Sequence, residues 1–134
     1  MSSVFVAATR QHVGKTSVCL GLVQGMKNRF TDVGFMKPIG QDAVTVRDAK
    51  GFARRVDRDT PLFKEMLGAV GAYEDMSPVT IGKGATKRLD RSSMKDRKKA
   101  TEDFKEKIVR SHARITSQSD FQVVEGTGHS KLFS

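Results

Sequence analysis

Ser3-Val4-Phe5-Val6-Ala7-Ala8 is a short apolar run ending in small residues, and Thr9-Arg10-Gln11-His12-Val13-Gly14-Lys15-Thr16-Ser17 follows it directly. A run of that length and composition predicts a strand buried on both faces. From Lys15 to about Arg29 the pattern changes. Apolar side chains fall at Val18, Cys19, Leu22, Val23 and Met26, with Phe30 just beyond, which is the spacing of one helix face. The unit is therefore strand, polar loop, helix, with glycine, lysine and threonine at the start of the helix.

Working outward, Val33-Gly34-Phe35-Met36 predicts a second short strand, stopped by Lys37-Pro38. Residues 40 to 58 are polar and show no clear period. Asp59-Thr60-Pro61 reads as a helix start, since Asp or Thr can cap free N–H groups and Pro suits the first turn. Leu62, Phe63, Met66 and Leu67 carry that helix to about Gly68. Residues 70 to 92 read as loop and short elements. Residues 93 to 117 predict a helix with Phe104, Ile108, Val109 and Ala113 on its inner side. After a turn at 118 to 120, Phe121-Gln122-Val123-Val124-Glu125 predicts a third strand, ending in Gly126-Thr127-Gly128. This order is that of an α/β fold with a mostly parallel sheet. Ligands of such sheets sit beyond the carboxyl ends of the strands.

Those strand ends carry the chemistry. A Walker A loop reads Gly-x4-Gly-Lys-Thr/Ser, and counting back from Gly14 puts Thr9 where the strict pattern has glycine. The physics survives the change. Backbone N–H groups from Thr9, Arg10, Gln11, His12, Val13, Gly14, Lys15, Thr16 and Ser17 line a loop that enters a helix, where the dipole favours an anion. Lys15 can reach terminal phosphate oxygens, and the Thr16 hydroxyl can ligate Mg²⁺. Lys37, at the end of the second strand, reads either as a second phosphate-directed lysine or as a surface lysine. Glu125 reads either as a Walker B acid that holds Mg²⁺ or as a strand-end acid capping a turn, and Gly126 lets the backbone pass close to a ligand. Asp59 is most simply a helix cap, and otherwise faces the metal.

The remaining chemistry is limited. The 134 residues (14.8 kDa) suit one domain with one core. Mean hydropathy is -0.42, and no apolar run approaches the roughly 20 residues of a membrane helix. The single cysteine, Cys19, excludes an internal disulfide framework and a Cys-rich zinc site, and it falls on the inner helix stripe. His12, His112 and His129 show no ligand spacing. The N-terminus lacks a basic region followed by a long apolar one, so the expected setting is intracellular, cytoplasmic or organellar matrix. The net charge is +9, with a pI near 10.0. Residues 83 to 114 hold 12 basic and 5 acidic side chains, a net +7. Either this is a solvated helix face plus loop, or it meets a polyanion such as nucleic acid. Phe104 is its one aromatic, so it is no platform for stacking bases.

Thr9 to Thr16, Lys37-Pro38-Ile39-Gly40 and Val124-Glu125-Gly126-Thr127-Gly128 together resemble the dethiobiotin synthetase-like P-loop NTPases. The likeness is nearest to the P-loop domain at the N-terminus of some phosphate acetyltransferases and its stand-alone relatives. The family loop reads Gly-Thr-x3-Val-Gly-Lys-Thr, and here Ala8 stands at the family's glycine. Val56-Asp57-Arg58-Asp59 and Met76-Ser77-Pro78-Val79 are also similar to family segments. The resemblance implies a three-layer fold, here a single partial domain over residues 1–134, apparently truncated at its C-terminus. It implies ATP and Mg²⁺ as ligands. Lys15 and Lys37 would act on phosphates or substrate, and Thr16, Glu125 and Asp59 on the metal. Arg10, Gln11 and His12 replace the acid-containing stretch of the biotin enzymes. Two readings follow: ATP-dependent phosphoryl transfer or ligase-like chemistry, or a non-catalytic domain serving as a structural or regulatory subunit. In both, a protein partner or a second copy is expected to cover the incomplete sheet.

Overall fold

In a computed structural model the chain forms β1 (Ser2–Val6), α1 (Lys15–Met26), β2 (Val33–Met36), β3 (Ile39–Gly40), β4 (Ala43–Arg47), β5 (Ala53–Asp57), a π-helical turn (Leu62–Met66), α2 (Tyr73–Met76), β6 (Val79–Thr80), α3 (Met94–Gln118) and β7 (Phe121–Glu125). The structure describes residues 2–7, 14–81 and 93–126.

The main sheet has the order β1-β7-β2, all parallel. β7 is therefore central although it comes last, and its Gln122–Glu125 side chains are buried. The register sets Val6 beside Glu125 and Met36 beside Val124, so all three strands end at one edge. Side chains alternate faces along a strand. Gly34 and its row partner Gln122 face α3: a Cβ on Gly34 would lie 2.5 Å from Ile115 Cγ2 and 3.2 Å from Ser119 Oγ. Phe35, Val123 and Glu125 face the other way, toward the α1 layer. Helices thus cover both sides, and the fold is three-layer α/β.

The core follows from that alternation. Cys19 and Val23 of α1 pack with Val33, Phe35 and Val123, while Met36, Met76 and Ile115 continue the same cluster. Phe63 enters it from the π-helical turn and stacks on Phe35, and Phe30 stacks on Phe121 with ring centroids 5.4 Å apart. Burying these side chains contributes about 1.5–3 kcal/mol each by transfer from water.

Several expectations are corrected. β1 is an edge strand, not one buried on both faces. Val4 and Val6 pack on the core, but Phe5 is 63% exposed. Residues 40 to 58 are not formless. They form the short β3, which pairs with β6, and an antiparallel hairpin of β4 and β5. Asp48 holds the hairpin turn by accepting from Lys50 N and Phe52 N, both at 2.9 Å, and Gly51 adopts φ +86° there. The helix predicted from Asp59 to about Gly68 is present but shorter, helical over residues 60–66 and π-helical from Leu62 to Met66, with Phe63 inside and Met66 exposed. In α3 the inner stripe is Phe104, Ile108, Ser111 and Ile115. Val109 and Ala113 point to solvent, because Asp75 accepts from the Ser111 hydroxyl at 3.1 Å and so anchors the Ser111 face.

Candidate functional site

The site lies at the carboxyl edge of the main sheet. β1 leads into the predicted phosphate loop, whose Thr9, Arg10, Gln11, His12 and Val13 lie outside the described residues. The description resumes at Gly14, which precedes α1 at φ +88°. Nothing stands within 4 Å of where its Cβ would be, so glycine is needed for the left-handed backbone rather than for space. No side chain caps α1, and its first turn carries no acid. The helix start is thus an uncapped set of N–H donors with the positive end of the dipole outward. Among the described residues Lys15 makes no ion pair, and Ser17 is exposed.

Lys37 is the centre of the site. It follows β2 directly, and its backbone N–H donates to Met76 O at 2.8 Å. Its ammonium donates to Asp57 Oδ1 at 3.0 Å and lies 3.0 Å from Asp57 Oδ2, 3.2 Å from Glu125 Oε2 and 3.5 Å from Asp59 Oδ2. Asp59 in turn accepts from the Thr16 hydroxyl at 3.2 Å. Four residues singled out in the sequence, Thr16, Lys37, Asp59 and Glu125, therefore meet in space. The surface-lysine reading of Lys37 fails, since its side chain is only 15% exposed. The capping reading of Asp59 fails too. Asp59 does stand at the helix start, where its carbonyl accepts from Leu62 N at 3.1 Å, but among the described residues its carboxylate takes no helix N–H and turns to Thr16 instead.

Asp57 is the member that sequence reasoning did not assign. It ends β5, is buried, and receives its position from three contacts. Its N–H donates to Ser77 Oγ at 2.8 Å, its carboxylate accepts from Asp59 N at 3.3 Å, and Gly40 leaves room for its Cβ. Burial pushes its carboxyl pKa up, and the neighbouring Lys37 ammonium offsets part of that rise. Burial alone would lower the Lys37 pKa, but the combined attraction of Asp57, Glu125 and Asp59 leaves it above its ordinary value.

Glu125 is fully buried, and among the described residues neither of its oxygens accepts an aligned hydrogen bond. Lys37 is within ion-pair distance but off that alignment. Cys19 lies behind it, its thiol pKa raised to about 12 by burial, then by the Glu125 charge and by the thiol's own close, poorly aligned contact with that carboxylate. Gly126 donates to Val6 O at 2.8 Å, which extends the β7–β1 ladder by one bond. A Cβ on Gly126 would lie 2.6 Å from the Phe5 ring, so the missing side chain makes space for that ring.

This arrangement suits phosphate and cation chemistry. An uncapped helix start meets a lysine after strand β2 and three carboxylates, at the ends of β5 and β7 and in the loop after β5. Among the described residues no three Asp, Glu, His or Cys side chains converge into a metal cage as they stand. Lys37 occupies the space between the carboxylates. The AAA domain family (AAA_26) matches residues 2–132, nearly the whole chain.

The chain belongs to that AAA domain family.

The ATP-dependent dethiobiotin synthetase of Methanococcus vannielii is 26% identical over 93% of this chain and 51% of its own length. The phosphate acetyltransferase of Haemophilus influenzae is 31% identical over 85% of this chain and 13% of its own length. That of Acinetobacter baylyi is 26% identical over 94% and 15%. The chain thus spans about half the length of the dethiobiotin synthetase and a small part of the acetyltransferases. No solved structure matches it significantly. Among the described residues no helix is long and apolar enough to cross a membrane.

Proposed function

We propose that this domain binds ATP with Mg²⁺ at the carboxyl edge of the sheet and supports ATP-dependent phosphoryl transfer of the dethiobiotin synthetase kind. The observation that carries the reading is the meeting of Thr16, Lys37, Asp59 and Glu125, from four separate segments, beside the uncapped start of α1. The donor set fits a hard cation. It is all oxygen, and it includes a buried carboxylate with no aligned partner. Thr16, Glu125 and Asp59 would hold the metal, which supplies charge neutralisation on the phosphates.

The chain's own residues do the rest. Lys15, free of ion pairs among the described residues, holds terminal phosphate oxygens together with the N–H groups of the loop and helix start. Lys37 meets phosphate or substrate from the opposite side. Burial of Asp57 and Glu125 keeps water from the carboxylates, which strengthens each charge–charge contact. Titration calorimetry with Mg²⁺ and ATP tests the reading. The intact chain binds, Lys15→Ala loses at least about tenfold in affinity, and Glu125→Gln loses the dependence on Mg²⁺. Absence of binding by the unaltered protein overturns it.

The exposed edge of β1 favours a second reading beside the first. Phe5 on that strand and Val18 on α1 are 63% and 53% exposed, which suits a surface seated against other polypeptide, either a partner or a second copy. On this reading the domain holds nucleotide without turnover, as a structural or regulatory subunit. ATP bound and recovered unchanged after prolonged incubation supports it, and product formation excludes it.

A further inference from the structure

We propose that Lys37 is the resident cation of the carboxylate cluster, and that a divalent ion enters only when phosphates draw the Lys37 ammonium out. Metal and nucleotide then bind cooperatively rather than independently. The proposal deepens the ATP and Mg²⁺ reading above and rests on it.

The charge count points this way. Asp57, Asp59 and Glu125 bring three negative charges within 3.5 Å of one ammonium. The cluster is therefore two charges short of neutral, with Asp57 and Glu125 almost fully buried. Buried charge of that kind is unfavourable unless matched. A divalent cation brings two positive charges where the ammonium brings one, but the space is already filled by Lys37.

The geometry says how firmly. Among the described residues Lys37 donates a hydrogen bond to Asp57 alone. Toward Glu125 and Asp59 it lies at ion-pair distances, and both Glu125 oxygens stay without an aligned donor among the described residues. The ammonium is held among the carboxylates mainly by charge. Its backbone is fixed by the bond to Met76 O and by Pro38, whereas its four-carbon stem is flexible. The tip can swing while the root stays. Phosphates at the start of α1 offer it a second anion, and its departure frees Glu125 and Asp59 beside Thr16. Because coupling between two ligands is reciprocal, each then raises the affinity of the other by the same factor.

Mn²⁺ binding to the full chain, read by the electron paramagnetic resonance signal of free Mn²⁺, tests this without any turnover. The unaltered protein binds Mn²⁺ weakly alone and at least about tenfold more tightly with ATP present. Lys37→Gln binds Mn²⁺ alone at least about tenfold more tightly than the unaltered protein, and ATP adds little further. Adding Glu125→Gln to that variant removes the gain, which locates the ion. Should Lys37→Gln fail to fold, the pair Asp57→Asn against Asp57→Asn with Lys37→Gln repeats the comparison at lower charge. Equal or weaker Mn²⁺ binding by the Lys37→Gln chain overturns the proposal. A gain in Mn²⁺ affinity in a protein that never binds ATP would retire the nucleotide reading and leave Lys37 as the resident cation. Normal ATP binding without the gain would do the reverse.

Discussion

Single residues decide most of what the site can do. Lys37, Asp57, Asp59 and Glu125 form one electrostatic unit, so removing one member leaves the others unmatched. Glu125→Ala leaves Lys37 with two carboxylates, whereas Lys37→Ala leaves three carboxylates facing each other, two of them buried. Lys37→Ala is therefore the more destabilising change, costing about 3–5 kcal/mol, and denaturant melts of the two variants will show the order. Cys19 provides a separate check on burial around Glu125. Its thiol is fully buried and its pKa is raised to about 12. Since the thiolate is the nucleophile, a thiol reagent at pH 8 labels the folded chain far more slowly than the denatured one. Comparable rates would mean that the wall behind Glu125 is open. At this scale much was legible beforehand. Thr16, Lys37, Asp59 and Glu125 each stand beside a strand end or helix start that can be read from the sequence. Asp57 was not assignable, because its role depends on ending a strand whose period is faint.

Elements differ in how plainly they announce themselves. β2 is a continuous apolar run and β7 carries Val123 and Val124 at its centre, both strands buried on both faces, and such segments are conspicuous. The β4–β5 hairpin buries little apolar surface. Val44 and Val46 are half-buried and only Val56 is deeply covered among its apolar side chains. It is held by ladder bonds and by the Asp48 turn, which leave a weak trace in hydrophobic pattern. The faces of α3 were misjudged for a related reason. A buried serine, Ser111, sits where an apolar residue would be expected, because Asp75 and Arg114 complete a polar anchor there, the Arg114–Asp75 contact being 2.7 Å. The close approach of α3 to β2 depends on Gly34. A methyl group at that position meets Ile115 Cγ2 at 2.5 Å, so Gly34→Ala should destabilise by about 1–3 kcal/mol through overpacking. A melting temperature lowered by several degrees is the expected outcome, and an unchanged one would mean that α3 moves freely on the sheet.

Across the whole molecule, three titratable groups set the alkaline limit. Cys19 and Tyr73 are both raised to about 12, the first by burial and Glu125, the second by burial and its 2.7 Å hydrogen bond to Glu65. Lys37 is raised as well. A group whose folded pKa lies above its unfolded one contributes stability that is fully present below the unfolded value and is lost as pH climbs through the folded value. The unfolded values are roughly 8.5 for Cys, 10 for Tyr and 10.4 for Lys. Stability should accordingly start to fall above about pH 8.5 and continue downward to about pH 12. Denaturation midpoints measured from pH 7 to 11 check this, and Cys19→Ala should remove the earliest part of the decline. The fold class and the parallel arrangement were readable from the alternation of strand and helix. The strand order was not. Nothing local says that the last strand inserts between the first two, a choice made by long-range packing of Val123 and Val124 against both neighbours. That insertion has an outcome for assembly. The Phe5 ring lies bare on the outer strand and also rests on the backbone of Gly126, one peptide past the buried carboxylate of Glu125. A polypeptide docking along this rim would lean on the same phenyl group, which abuts the strand end that carries Glu125.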